Sequence, residues 1–184
     1  MLTIIEGLDR CGKSTLVEHL RKKYFTSPDI IVHHSSSPPK VESPNDWELQ
    51  HYESLFQFSQ MLIDDYSYDV IFDRFHLGAV VYGVKYRNAN PIGIFEIDKR
   101  YLSSYPNAAL ILLTDEPEAI ASRDDGGSLE KSLDEYSQTK KSFINAFERS
   151  SCINKLHINI TDNGGFVNTI PTVTRFLDEQ KGAR

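Results

Sequence analysis

The chain has 184 residues, the length of one ordinary domain and enough to bury a core without disulfides or structural metals. Its formal net charge of −6 argues against a protein that binds nucleic acid through the phosphate backbone, although it does not exclude a local basic cleft. Cys11 and Cys152 make no disulfide framework, which indicates a reducing compartment. No apolar stretch approaches the ~20 residues of a membrane span. We therefore expect a soluble, cytoplasmic protein with no membrane contact.

Apolar runs alternate with helical patterns along the whole chain. The runs are rich in Ile, Val and Leu and nearly continuous, which is typical of parallel strands buried on both faces. They cover residues 2–6, 29–34, 69–73, 108–113 and 155–160. Helical patterns cover residues 13–24, 46–65, 130–149 and 163–180, the last interrupted by Pro171. The alternation predicts one α/β domain over residues 1–184, a three-layer α/β/α fold with a five-stranded parallel sheet that binds ligands at the carboxyl ends of its strands.

A glycine-rich loop follows the first strand and reads GLDRCGKS, which fits the phosphate-loop pattern G-x-x-x-x-G-K-[ST] of P-loop NTPases. Between a strand and a helix, its backbone N–H groups would surround a phosphate, so we predict ATP as cofactor. Lys13 would bridge the outer phosphates, and the Ser14 hydroxyl would hold Mg²⁺. The alternative is a structural turn with a surface lysine. The predicted ATP-binding residues of the loop are Gly7, Arg10, Cys11, Gly12, Lys13, Ser14 and Thr15.

Arg10 lies in the same loop as Lys13, where two positive charges repel each other in an empty site. Both are attracted to a polyphosphate, and phosphoryl transfer requires charge to be stabilised on the moving group. Arg10 is therefore predicted to be a catalytic arginine supplied by the loop itself. The alternative is that it faces solvent or pairs with an acid such as Glu6 or Asp9.

The third predicted strand ends in Asp73 and Arg74. An acid in this position assists Mg²⁺ in phosphate-loop enzymes, and the guanidinium of Arg74 could hold an acceptor phosphate with two hydrogen bonds. Both are predicted catalytic residues, although they could instead pair with each other. His76 could equally be a helix cap, a packing group or a base. Further on, residues 122–132 are expected to form a lid over ATP that excludes water, with Arg123 at its start, or else a solvent-exposed turn.

The loop, together with Asp73, Arg74 and Tyr82, resembles the thymidylate kinase family of nucleoside monophosphate kinases, in the subclass that carries its catalytic arginine in the loop. The resemblance implies phosphoryl transfer from ATP to a deoxynucleoside 5′-monophosphate, dTMP first of all, and often a homodimer. It also implies that Asp9 meets the sugar 3′-hydroxyl and that Tyr82 lies near C2′ and disfavours ribonucleotides, whereas the alternative for Tyr82 is core packing on an apolar helix face. By the same resemblance Arg123 would lie near the adenine or the phosphates of ATP.

Two positions depart from the family's pattern. The loop after the second strand lacks the arginine that touches the acceptor phosphate and offers only Lys40 or the pair His33 and His34. In the family's Phe-x-x-x-Arg motif the phenylalanine stacks on thymine and the arginine reads it, and the nearest match here is Phe56 and Gln60. Gln57 is the alternative amide, and core packing is the alternative for Phe56. An amide still offers one donor and one acceptor to a base edge, so these two residues are the predicted base contacts.

The departures keep other acceptors open. The spacing from Phe56 to Asp73 is shorter than in the family, and no Lys or Arg occurs in residues 41–72. A deoxynucleoside, another nucleotide or a modified base in DNA is the alternative acceptor. A GTP-dependent switch is disfavoured, because DRFH and NKLH lack the last letters of its D-x-x-G and N-K-x-D motifs.

Overall fold

The computed structural model describes residues 1–25, 29–35, 44–87, 89–123, 127 and 129–182. Within these residues, one parallel sheet contains five strands in the order β2-β3-β1-β4-β5. The strands are β1 (Leu2–Gly7), β2 (Ile30–His34), β3 (Asp69–Asp73), β4 (Ala108–Thr114) and β5 (Asn154–Asn159). The α/β fold class is confirmed, and each predicted strand agrees with the structure to within one residue at either end.

The burial of the strands explains why their sequences are so apolar. Every residue of the central strands β1 and β4 is buried, so neither strand alternates between polar and apolar residues. The edge strands β2 and β5 are only half-buried along most of their length. The core therefore lies on both faces of β1 and β4, and the ends of these strands hold a fixed position in the molecule.

Helices cover both faces of this sheet. They are α1 (Lys13–His19, continued by a π-helical turn, Leu20–Tyr24), α2 (Pro44–Tyr66), α3 (His76–Arg87), α4 (Ile92–Leu102), α5 (Pro117–Ala121), α6 (Leu133–Arg149) and α7 (Phe166–Gly182). The predicted interruption at Pro171 is wrong, because α7 runs through this residue. Pro171 is the sixth residue of α7, where it removes one backbone N–H donor from the helix. In the described part of the chain, none of the helices is both long and apolar enough to cross a bilayer.

Sequence patterns did not predict α3, α4 or α5. A buried carboxylate of β1 holds the start of α3. Glu6 Oε1 accepts hydrogen bonds from the backbone N–H groups of Phe75, Leu77 and Gly78 at 3.0, 2.8 and 3.2 Å. Burial raises the pKa of Glu6, although the nearby His76 and these N–H groups oppose the shift. The contact ties α3 to the carboxyl ends of the sheet.

Candidate active site

The backbone of the glycine loop requires glycine at both ends of the motif. Gly7 has φ 137° and pairs with Leu113 of β4, and a Cβ at Gly7 would lie 1.9 Å from the Leu113 carbonyl oxygen. Gly12 has φ 74°, and a Cβ there would lie 2.4 Å from the ring of Phe166, the first residue of α7. The loop is thus packed between β4 and α7, and its spacing reflects a defined backbone path.

Lys13 is buried with its ammonium group turned back over the loop, which contradicts the alternative of a surface lysine. Its side chain is 3 % exposed, Nζ donates to the Leu8 carbonyl at 2.5 Å, and Nζ lies 3.9 Å from Asp9 Oδ1. Burial and then the positive charge of Arg74 lower the pKa of Lys13. A buried cation with so few acceptors favours the approach of an anion.

Ser14 and Asp73 bring two oxygen ligands together. The Ser14 hydroxyl donates to Asp73 Oδ2 at 2.8 Å, and His34 Nδ1 lies 2.9 Å from the same oxygen. The other carboxylate oxygen, Asp73 Oδ1, is buried and has no hydrogen-bond partner among the described residues. A hydroxyl and a carboxylate beside a phosphate loop are the ligands that Mg²⁺ prefers, so these residues fit the ion.

Arg10 connects the loop to the segment after α5. Its backbone is left-handed, with φ 64°, and its Nη1 donates to the Arg123 carbonyl at 2.9 Å. The side chain of Arg123 turns the other way, because it forms an ion pair with Asp115 and donates from Nε to the Ala119 carbonyl at 2.8 Å. Within the predicted lid, residues 124–126 and 128 lie outside the described residues, as does Lys40.

Cys11 and Thr15 take different places in the loop. The Cys11 side chain is fully buried, and this burial raises the pKa of its thiol to about 11. Only the backbone of Cys11 can therefore face a phosphate. Thr15 is exposed at the start of α1, next to the exposed Ser14.

Asp115 joins the carboxyl ends of two strands, and we did not predict this role from the sequence. It follows β4 and accepts from Thr161 Oγ1 at 2.6 Å and from the Thr161 N–H at 3.1 Å, so it joins the ends of β4 and β5. Burial alone would raise the pKa of Asp115, but the hydrogen bonds from Thr161 and Arg123 outweigh burial and lower it. The sequence feature that could have indicated this role is an acid directly after a continuous apolar strand.

A cleft of about 750 Å³ opens on the other side of β1, at the carboxyl ends of β1, β2 and β3. Arg74 has φ 65°, and its Nη2 donates to Asp9 Oδ1 at 2.8 Å, so it pairs with Asp9 and turns away from a pairing with Asp73. Tyr82 lines the cleft with a buried hydroxyl that has no partner among the described residues. Three predicted acceptor residues from distant parts of the chain thus meet in one cleft: Asp9, Arg74 and Tyr82.

Phe56 and Gln60 do not reach this cleft, so the structure does not bring the predicted base contacts to the other acceptor residues. Phe56 is fully buried and stacks on Tyr101 of α4 at 5.3 Å, and Gln60 donates to the Tyr101 carbonyl at 3.1 Å. Tyr52, one turn before Phe56 on the same face of α2, lines the cleft instead. The short spacing from Phe56 to Asp73 is the sequence feature that could have indicated that Tyr52, and not Phe56, lines the cleft.

His76 belongs to a buried structural network. His76 and Asp98 are both fully buried, and His76 Nε2 lies 2.8 Å from Asp98 Oδ2. Asp98 also accepts from the Ser150 hydroxyl and the Ser151 N–H, each at 2.6 Å. The carboxylate therefore ties α4 to the start of α3 and to the residues that follow α6.

The replacement Asp98→Asn is expected to destabilise the fold by about 1–3 kcal/mol at neutral pH. Burial alone would raise the pKa of Asp98, but the hydrogen bonds from His76, Ser150 and Ser151 outweigh it and lower the pKa. This stabilisation is complete above the unfolded-state pKa and is lost as the pH falls through the folded-state pKa. The free energy of unfolding, measured with denaturant at neutral and acid pH, should therefore fall less on acidification in the variant than in the parent.

The exposed Asp65 on α2 serves as the matched control for this measurement. Asp65→Asn should leave the free energy of unfolding within about 0.5 kcal/mol of the parent at both pH values. Equal effects of the two replacements would contradict the role of Asp98.

The fold is a parallel sheet with helices on both faces, and the loop after its first strand carries the phosphate-loop motif. No protein-family model matches the chain, and no curated protein matches it. A crystal structure of the YorR protein from Bacillus subtilis in complex with phosphorylated GDP is 19 % identical, with a TM-score of 0.75 over 100 % of this chain and 99 % of that one.

Two further solved structures have the same fold. Thymidylate kinase from Ehrlichia chaffeensis is 14 % identical, with a TM-score of 0.58 over 100 % of this chain and 98 % of that one. Polyphosphate kinase 2 from Arthrobacter aurescens TC1 is 16 % identical, with a TM-score of 0.60 over 99 % of this chain and 68 % of that one. The feature that these structures share with the chain is the fold.

Proposed function

We propose that this protein transfers a phosphoryl group from ATP to a deoxynucleoside 5′-monophosphate within a single kinase domain. The observation that carries the proposal is a continuous chain of charged groups between the loop and the cleft. Asp9 Oδ1 lies 3.9 Å from Lys13 Nζ and accepts from Arg74 Nη2 at 2.8 Å. A donor phosphate on the loop would therefore lie beside an acceptor in the cleft, and positioning of this kind contributes much of the rate in phosphoryl transfer.

The donor side has the groups that a nucleoside triphosphate requires. Ser14 and Asp73 would hold Mg²⁺, which would supply positive charge to neutralise the phosphates. Lys13 would exchange its contact with the Leu8 carbonyl for phosphate oxygens. Arg10 would stabilise charge on the transferred group by exchanging its contact with the Arg123 carbonyl for that group. Arg123 acts by holding that segment against Asp115.

The acceptor side binds and orients the second substrate. Arg74 would exchange part of its pairing with Asp9 for the acceptor phosphate, and Asp9 would then accept from the sugar hydroxyl. The ring of Tyr82 would form a wall beside the sugar. The sequence alone proposes dTMP as acceptor, but its base contacts, Phe56 and Gln60, lie outside the cleft. The YorR structure contains phosphorylated GDP, so guanine nucleotides are included among the candidate acceptors.

A second candidate function is a nucleoside kinase, in which a sugar hydroxyl replaces the phosphate as acceptor. Glu6 supports it. Its Oε2 is buried in the floor of the cleft and has no hydrogen-bond partner among the described residues. A carboxylate can accept the proton of a hydroxyl, whereas it repels a phosphate dianion.

An acceptor panel tests both functions. We expect γ-labelled ATP with Mg²⁺ to transfer its label to deoxynucleoside monophosphates and to give diphosphates on thin-layer plates. Removal of the metal with a chelator should abolish the transfer. Label on free deoxynucleosides would favour the second candidate. Label on DNA alone, or none on any member of the panel, would contradict the proposal.

A further inference from the structure

An ion pair forms the far wall of the acceptor cleft. Glu48 of α2 is 3 % exposed, and its Oε1 accepts from Arg87 Nη2 of α3 at 2.5 Å. Both residues line the cleft. Arg87 Nε is buried and has no hydrogen-bond partner among the described residues. Buried polar groups in a cleft wall are costly unless something binds to them, so this pair marks a place where a polar ligand edge docks.

The surroundings of the pair have the shape of a nucleobase site. Tyr52 follows Glu48 by one turn of α2, and its ring meets the ring of Phe75 edge-on at 5.1 Å. Both rings line the cleft, so apolar aromatic surface adjoins a polar end. A nucleobase has the same division, with apolar faces and hydrogen-bonding edges.

The chemistry of the pair discriminates between bases. A carboxylate only accepts hydrogen bonds, and a guanidinium only donates them. Guanine presents two adjacent donors, N1–H and the 2-amino group, beside a carbonyl. Cytosine presents a 4-amino group beside two acceptors. Thymine presents a single N–H between two carbonyl groups, so a carboxylate aimed at that N–H also faces carbonyl oxygens. An exocyclic amino group therefore suits Glu48, and a neighbouring acceptor suits Arg87.

We propose that Glu48 and Arg87 read the base of the acceptor and select a base with an exocyclic amino group, which guanine, cytosine and adenine carry, over thymine, which has none. The inference rests on the proposed function, because it identifies the substrate class of the same cleft. It departs from the resemblance to thymidylate kinases, whose thymine-reading arginine this chain lacks.

The wild-type protein provides the first test. Dissociation constants for dGMP, dCMP, dAMP and dTMP are measured by calorimetry, and kcat/KM for each is measured with Mg²⁺ and ATP. Sites built around hydrogen bonds reject ligands that leave them unpaired by large factors, so we expect at least one of dGMP, dCMP and dAMP to be preferred over dTMP by at least about 100-fold. Binding of dTMP within tenfold of the best amino-bearing nucleotide would overturn the inference. Selective binding without turnover would uphold the inference and contradict the proposed function.

A pair of matched variants provides the second test. Glu48→Gln adds an amide donor beside the base and should lower the preference for the best amino-bearing nucleotide over dTMP by at least about tenfold, a free-energy change of about 1.4 kcal/mol. Glu53→Gln is the control, because Glu53 lies on the same helix and pairs with Arg100 of α4 outside the cleft. It should leave the preference unchanged. Equal preferences in both variants would contradict the role of Glu48, and if Glu48→Gln does not fold, the wild-type comparison decides.

Discussion

Replacement of Arg10 by alanine is expected to lower kcat for phosphoryl transfer about a thousandfold. An arginine directed at the transferred group contributes ~10³–10⁵ in phosphate-loop enzymes because it stabilises charge that develops in the transition state. Arg10 lies between Gly7 and Gly12 and contacts the Arg123 carbonyl at 2.9 Å. Steady-state kinetics with the acceptor identified by the panel measure the effect. The KM for ATP should change less than kcat does.

Two variants control for charge and for the substitution itself. Arg10→Lys keeps the charge without the planar fork and should recover only part of the lost rate. Arg21→Ala removes an exposed arginine that pairs with Glu18 on α1, and it should leave kcat unchanged. A loss below tenfold for Arg10→Ala would contradict a catalytic role, and its only remaining role would be the contact with the segment after α5.

The replacement Gly7→Ala is expected to destabilise the protein by about 3 kcal/mol or more. The new Cβ would lie 1.9 Å from the Leu113 carbonyl oxygen, within the pairing of the central strands β1 and β4. The backbone at Gly7, with φ 137°, is also one that alanine adopts only under strain. Overpacking and backbone strain each cost about 1–3 kcal/mol. Denaturant unfolding measures the change.

Gly182, at the end of α7, is the matched control. A Cβ there has no heavy atom within 4 Å, so Gly182→Ala should change the free energy of unfolding by less than about 1 kcal/mol, in the stabilising direction. If Gly7→Ala cost less than about 1 kcal/mol, the contact between the loop and β4 would not be as close as the structure has it.

The fold could be predicted because its strongest signals are local. A strand buried on both faces has to be apolar throughout, so β1 and β4 are visible as continuous runs. The helix α3 gave a weaker signal, because its start depends on the carboxylate of Glu6 about 70 residues earlier in the chain. A helix cap supplied by a distant strand cannot be recognised from the residues around the start of the helix.

The candidate site also has a part that could be predicted from the sequence and a part that could not. Gly7, Lys13 and Ser14 form a motif whose spacing reflects one short backbone path, so it could be found from letters alone. The cleft depends on which faces of α2 and α3 meet. Phe56 and Tyr52 are separated by one turn, and nothing in the local pattern says at which turn α2 leaves the core and meets the cleft.

The amino-acid sequence by itself determined the parallel sheet, the glycine loop at the end of its first strand and the acid at the end of β3, because each depends on residues close together in the chain. Only the tertiary structure decided that Arg74 pairs with Asp9, that Asp115 joins β4 to β5, and that Glu48 meets Arg87 across the cleft. These contacts join residues 39 to 65 positions apart, and their partners are selected by the packing of helices on the sheet.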